Sequence, residues 1–348
     1  MAQTVIDPEQ LRRRLDQVWL DLGRQADAEG HEVMRACALT LIAVVEEDGD
    51  PESAAETVAQ LMREHPSRAI VVRLASGDRH LLEADVDARC WMAFGGRQQI
   101  CSEQIVIRCS EKNLSEIPGV ILPLIVADLP VVLWCSSERA SRSAAFPQLI
   151  EPAGRVILDT FRFTNPVEAL ESLQARVVAD LSWTRLTRWR SLLAQVFENR
   201  LYRSRLPHIS EAVIHYEGAE EARVPPTALL LAGWLTSRLG WPCDGERVPA
   251  GLRFERRPAE CRPSRLAAFE LISRRELSTR ISIARTGEAC GDVRVEVAGL
   301  EPVMNRVSLP RSTDLLLLGE ELAIQKPDPI FAESLECAVR IGRALMKR

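Results

Sequence analysis

Pro123-Leu124-Ile125-Val126-Ala127-Asp128-Leu129-Pro130-Val131-Val132-Leu133-Trp134 carries a single charged side chain, Asp128. A run this apolar stays in a water-exposed chain only when both of its faces are covered, the condition of a strand inside a parallel sheet. Pro130 turns the residue before it away from helical backbone, so Asp128 falls where a helical segment stops and a buried strand, Val131 to Trp134, begins. Upstream, Leu114 to Ala127 has helical character interrupted by Pro118 and Pro123, which predicts a kinked or broken helix.

Further strands flank this stretch. Ala36 to Val45, Ala69 to Leu74, Leu81 to Phe94, Gln104 to Cys109 and Arg155 to Asp159 are apolar or alternating runs bounded by turn residues. Helical spacing predicts Pro8 to Ala28, with Leu11, Leu15, Val18, Trp19 and Leu22 on one face, and Pro51 to His65, ended by Pro66. Asn165-Pro166 opens a long helix expected to run to about Leu181, and Arg188 to Tyr202 continues as helix. Strands alternating with helices argue for a mostly parallel sheet with helices on both faces, a Rossmann-like layer.

Past residue 206 the pattern changes. Ile209 to Glu217 reads as a strand, and Pro225-Pro226 opens a helix closed by Gly240. Gly251 to Arg256, Leu266 to Ser273, Thr279 to Ala284 and Val293 to Val297 read as short strands of an antiparallel sheet, and Ser312 to Ile324 and Pro329 to Met346 as closing helices. The expected organisation is α/β: an N-terminal Rossmann-like domain (1–165), bridging helices (166–206) and a C-terminal α+β domain (207–348).

The 348 residues exceed one ordinary core and fit about two domains. No apolar run approaches the ~20 residues of a membrane span, so no membrane partner is expected. The first sixteen residues mix Asp7, Glu9 and Asp16 with Arg12, Arg13 and Arg14, unlike a secretory leader, and a cytoplasmic location is expected. A net charge of −5 gives no general attraction to nucleic acid. Of 44 basic residues three are lysine (Lys112, Lys326, Lys347), leaving 41 arginines: GC-rich codon usage, or arginine forks at a protein interface. The nine cysteines are scattered among apolar neighbours, so free reduced thiols and no disulfide framework are expected.

Local motifs for catalysis are missing from the sequence. There is no G-x-G-x-x-G and no phosphate-binding G-x-x-x-x-G-K-[ST]; Gly95-Gly96 is followed by Arg97-Gln98-Gln99 rather than a helix start. Cys101 and Cys109 are eight apart on one strand, and His31-Glu32 lacks the second histidine of a helical zinc site. No G-x-S-x-G elbow exists, His208 and His215 flank one strand with an odd spacing that sends them to opposite faces, and Glu46-Glu47 and Glu220-Glu221 are expected on solvated turns. No cofactor, metal or catalytic set is therefore predicted.

Four separated segments are similar, in the same order, to the OpcA family. They are Arg35 to Val44, Leu122 to Trp134, Asp180-Leu181-Ser182-Trp183-Thr184-Arg185-Leu186-Thr187-Arg188-Trp189-Arg190 with its continuation to Phe197, and Ala228 to Trp241, which ends Arg-Leu-Gly-Trp. Where the family often has a second tryptophan after Trp134, this chain has Cys135. The resemblance implies a non-enzymatic protein that binds glucose-6-phosphate dehydrogenase and favours its active oligomer in the oxidative pentose phosphate pathway. It also implies redox control through cysteines in cyanobacterial members. Tryptophan and arginine dominate binding hot spots, so the candidate partner-binding residues are Asp128, Trp134, Arg185, Arg188, Trp189 and Arg190. Core packing is the competing reading for Trp183 and Trp189, and a turn role for Asp128. The rival functions are a sugar-phosphate enzyme, such as a 6-phosphogluconolactone hydrolase, and a small-molecule sensor with its ligand on the crest of the first sheet.

Overall fold

The computed structural model describes residues 6–29, 31–47, 53–77, 80–92, 98–174, 178–221, 223–259, 264–274, 278–324 and 326–347. Gly95-Gly96-Arg97 lies outside the described residues, as does Cys261. The chain forms two compact units, Met1–Asp159 with Asp314–Ala323, and Thr160–Thr313 with Ile324–Arg348.

In the first unit, strands β1 (Glu32–Arg35), β2 (Leu39–Glu46), β3 (Ser67–Ala75), β4 (Leu82–Met92), β5 (Gln98–Ser110), β6 (Val131–Cys135) and β7 (Arg155–Leu158) make one sheet in the order β1-β5-β3-β2-β6-β7. All those neighbours are parallel, and β4 alone lies antiparallel on β5. Chain order therefore runs outward from β2 to β3 and β5 on one side, then to β6 and β7 on the other. This is the doubly wound pattern expected, with its reversal point between β2 and β6. Burial follows: β6 is buried at every residue and the middle of β2 likewise.

The stretch before β6 is broken, as its prolines require. A 3₁₀ turn (Glu111–Glu116), helix α3 (Ile117–Ile121) and a second 3₁₀ turn (Leu122–Leu124) follow one another. Asp128 then takes φ 65°, the left-handed region that Asp tolerates better than a bulky residue. Buried Thr40 fixes this turn from β2: its N–H donates to the Pro130 carbonyl at 2.9 Å and its Oγ1 accepts from the Val126 N–H at 3.2 Å.

Helix α1 (Pro8–Glu29) buries Leu11 and Leu15. A buried carboxylate helps hold it, since Glu103 of β5, 4% exposed, accepts from Trp19 Nε1 at 2.6 Å and pairs with Arg68 at 2.6 Å and with Arg35. Helix α2 (Ser53–Leu61) packs against α11 (Asp314–Ala323), a helix from far along the chain, which buries Leu317, Leu318 and Glu321 and pairs Glu321 with Arg155. Helices α4 (Glu138–Arg142) and α5 (Phe146–Ile150) join β6 to β7.

Two expectations are corrected here. The strand read from Gln104 begins at Gln98, which brings Cys101 into a hairpin with β4 directly opposite Cys90. Their Cα atoms are 4.1 Å apart and the two sulfurs are bonded, so this pair is not free thiols. Residues eleven apart in sequence meet because the hairpin folds them together.

The second unit has helices α6 (Pro166–Gln174), α7 (Leu181–Thr184), α8 (Thr187–Glu198), α9 (Arg200–Arg203), α10 (Pro226–Leu239) and α12 (Pro329–Met346), and a short strand, β8 (Val178–Asp180). The helix expected from Pro166 to about Leu181 thus ends by Gln174, before β8. Its sheet comprises β9 (Glu211–Gly218), β10 (Leu252–Pro258), β11 (Arg265–Ser273), β12 (Thr279–Arg285), β13 (Cys290–Val297) and β14 (Val303–Ser308), ordered β10-β9-β11-β12-β13-β14. It is antiparallel except at β10, which runs parallel to β9 because α10 carries the chain back between them.

Helix α10 is apolar all round and buried from Pro226 to Gly233, ending at Gly240 with φ 64°. It crosses α12 at near-backbone contact: a Cβ on Gly233 would stand 2.1 Å from the Ser334 carbonyl oxygen and 2.7 Å from the Ala338 nitrogen. Gly233→Ala is therefore expected to destabilise the protein by about 1–3 kcal/mol or more in chemical denaturation. Gly23→Ala on α1, where a Cβ meets nothing within 4 Å, should be neutral or slightly stabilising.

Candidate functional site

In a doubly wound sheet the place for a ligand is the crest beyond the carboxyl ends of the strands, at the reversal point. Here that crest begins with Glu46, the last residue of β2, and Glu47. Glu46 accepts from Ser137 Oγ and pairs with Arg139, while the same Ser137 oxygen caps α4 by accepting from the Ala140 N–H at 3.0 Å. Glu47, 13% exposed, pairs with Arg73 at 2.9 Å and Arg108 at 2.7 Å. The bond to Glu47 holds the Arg108 guanidinium above its ordinary pKa. Below this layer, burial pushes the thiols of Cys109 and Cys135 up to about 12, which leaves them unreactive.

Glu46 and Glu47 were expected on a solvated turn; they are instead two carboxylates clamped by three arginines across β2, β3, β5 and α4. A phosphate at a nucleotide-binding crest meets backbone N–H groups and positive charge. At this one the described residues present carboxylates whose counter-charges are already engaged.

The candidate partner-binding residues separate into buried and exposed. Trp134 is 1% exposed inside β6 and Trp189 is 3% exposed, tilted against Phe269 with ring centroids 6.2 Å apart, so neither can meet a partner in this fold. Trp183 is core as well, 5.5 Å from Phe331, and its Nε1 donates to Asp328 at 2.9 Å. Arg190 lies over the Trp183 ring at 3.6 Å and Arg185 over Phe161 at 4.7 Å, both half-buried. Arg188 is exposed, with its Nε donating to the Ser308 carbonyl at 3.1 Å, and Asp128 is exposed on its turn.

Two carboxylates that sequence reading passed over organise this segment. Asp180, 1% exposed, accepts from the Thr160 N–H at 3.2 Å, Thr160 Oγ1 at 2.6 Å and the Ser182 N–H at 3.0 Å, capping α7. Asp328 caps α12 through the Ile330 N–H at 2.9 Å while holding Trp183. The signal for both was present: Asp one or two residues ahead of a helix start.

His215, 8% exposed, stands within β9 rather than flanking it, 3.3 Å from Glu255 and 3.5 Å from Glu270. No group of three or more His, Cys, Asp and Glu among the described residues could hold a metal ion. No helix among them is long and apolar enough to cross a membrane.

One thiol pair differs from the rest. Cys243, in the loop after α10, donates its S–H toward the Cys337 carbonyl at 3.7 Å, and Arg340 Nη1 donates to the Cys243 carbonyl at 2.8 Å. A hydrogen bond from Cys243 lowers the Cys337 thiol to about 7, while the same bond raises Cys243.

Two consecutive family models match the sequence. One, described as the glucose-6-phosphate dehydrogenase subunit N-terminal domain, covers residues 58–175; the other, the C-terminal domain of that subunit, covers residues 176–335. The chain belongs to the OpcA family. Among curated relatives, the OxPP cycle protein OpcA of Synechocystis is 27% identical over 316 residues, 82% of this chain and 65% of that protein. The OpcA proteins of Nostoc punctiforme and Synechococcus elongatus are 31% and 29% identical over 183 and 181 residues, about half of this chain and 38% and 40% of theirs. The matched region thus spans less than two thirds of each of these OpcA relatives. The OpcA segments quoted from the sequence correspond to β2, the turn and strand β6, the Asp180-capped helices, and α10.

Glu47→Gln is expected to cost about 1–3 kcal/mol in denaturation, because Arg73 and Arg108 lose a shared charged acceptor. In thiol alkylation followed by peptide mapping, Cys337 should react with a midpoint near pH 7, with Cys109 and Cys135 modified only after unfolding.

Proposed function

We propose that this OpcA-family chain is a non-enzymatic partner of glucose-6-phosphate dehydrogenase, which it binds in the cytoplasm and biases toward its active oligomer in the oxidative pentose phosphate pathway. The observation that carries the reading is the pair of dehydrogenase-subunit domain models matching end to end over residues 58–335. The crest supports it. Where a doubly wound enzyme binds its nucleotide, Glu46 and Glu47 are engaged by Ser137, Arg139, Arg73 and Arg108.

The mechanism is linkage. A protein that binds one state of the dehydrogenase more tightly than another shifts the population by the ratio of the two affinities, and needs surface complementarity rather than a reactive pocket. Asp128, exposed on its turn, Arg188, exposed in the first turn of α8, and the half-buried Arg185 and Arg190 are the contact residues assigned to this role. Trp134 and Trp189 are not.

The dehydrogenase from the same organism, assayed against glucose 6-phosphate with and without this protein, should show a lower half-saturation or a higher maximal rate in its presence. No change in either parameter at stoichiometric excess refutes the reading. Turnover of 6-phosphogluconolactone by the purified protein alone would replace it with the enzyme reading.

A further inference from the structure

The two edges of the second unit's sheet are treated differently. Natural sheets protect an open edge with charge, proline or a bulge, because unpaired N–H and C=O groups recruit another strand. Edge strand β10 has that protection: exposed Arg253 and Arg257 lie along it and it stops at Pro258. Edge strand β14 has less of it: no proline or bulge interrupts it, and its one charged residue, Arg306, is paired with Asp292 of β13. Its sequence Val303-Met304-Asn305-Arg306-Val307-Ser308 pairs with β13 in unbroken register from Cys290↔Ser308 to Val295↔Val303, and its other side has no strand among the described residues. Five of its six residues are exposed, Met304 at 60% and Val303 at 41%, and Leu300 in the turn before it at 50%.

We propose that the outer edge of β14 is a self-association surface, at which a second copy of this chain adds its own β14 antiparallel across a two-fold axis. The two sheets then continue into one another.

The argument for a second copy is self-complementarity. Arg188 already occupies the Ser308 carbonyl, which leaves Val303 to Val307 as the run available for pairing, and its midpoint is Asn305. Antiparallel pairing about that residue sets Val303 against the partner's Val307 on the face shared with buried Val293 and Val295. Asn305 meets the partner's Asn305 on that same face, and on the opposite face Met304 meets the partner's Arg306. No like charges stand opposite, the valines pair with one another on either side of the Asn305 pair, and the two arginines lie over thioether side chains. Shifting the centre by one residue toward Ser308 places Arg306 against the partner's Arg306, which disfavours that register. A two-fold interface of this kind uses the same patch on both copies and closes as a dimer.

Sedimentation velocity of the purified chain alone, from about 1 to about 100 µM, should show a monomer–dimer equilibrium. Met304→Arg sets a guanidinium against the partner's Arg306 twice per interface, and is expected to weaken the dimer about tenfold or more, with circular dichroism unchanged. Met304→Glu should retain or tighten it. In oxidised glutathione, Asn305→Cys should give a 305–305 cross-link by peptide mapping, since facing Cα atoms in such a pair are about 4.5–5.5 Å apart. Met304→Cys should not link to itself.

A chain that stays monomeric over that range overturns the proposal, as does a dimer indifferent to Met304→Arg, or Met304→Cys linking as readily as Asn305→Cys. No dehydrogenase is present, so these results are independent of the activation assay.

Discussion

The close crossing of α10 and α12 is the constraint around which the second unit is arranged. A helix surrounded by apolar contacts on every side can be approached only as closely as its smallest residue permits, and Gly233 permits backbone to meet backbone at Ser334 and Ala338. That distance fixes where Phe331 of α12 meets Trp183, and the same α12 brings Gly342 against Val167 of α6, where a Cβ would clash with Val167 Cγ2 at 2.7 Å. Asp180, buried, and Asp328, half-buried, then cap the starts of α7 and α12. The Trp and Arg segment that resembles a binding motif is thus mostly internal architecture, with Arg188 as its exposed member.

The first unit shows how topology and chemistry separate. The strand order is that of nucleotide-binding sheets, but order alone supplies only a place. What occupies the place here is a set of ion pairs that ties β2, β3, β5 and α4 together. Arginine suits this, because its planar fork reaches two carboxylate oxygens at once and stays charged when half-buried. The arginine-rich composition is spent in part in this way, on Glu46, Glu47 and Glu103, rather than wholly on solvent-facing surface.

Much of this architecture was legible in the residues. Dense β-branched runs marked β2, β3 and β6, prolines marked the breaks around α3, and Pro225-Pro226 and Gly240 bracketed α10. Legibility failed where a residue's environment is set by distant chain. β14 has no buried alternation to reveal it, since nearly all of it faces water. The parallel direction of β10 depends on where α10 delivers the chain, and the Cys90–Cys101 bond depends on hairpin register that begins several residues before the obvious apolar pattern. Trp134, at the end of a strand read as buried, and Trp189, with core packing as its competing reading, are still candidates for contact until burial assigns both to the core. The charge pairing of Glu46 and Glu47 could not be seen, because Arg73, Arg108 and Arg139 are remote in sequence and share only a sheet crest.

Helix α11 belongs to the first unit although the chain on both sides of it belongs to the second. A gene fragment ending at Asp159 would encode a sheet lacking the helix that covers α2 and deprive Arg155 of Glu321. The first unit is therefore complete only in a chain that runs on through Ala323, and synthesis must pass the whole second sheet before the first unit can close.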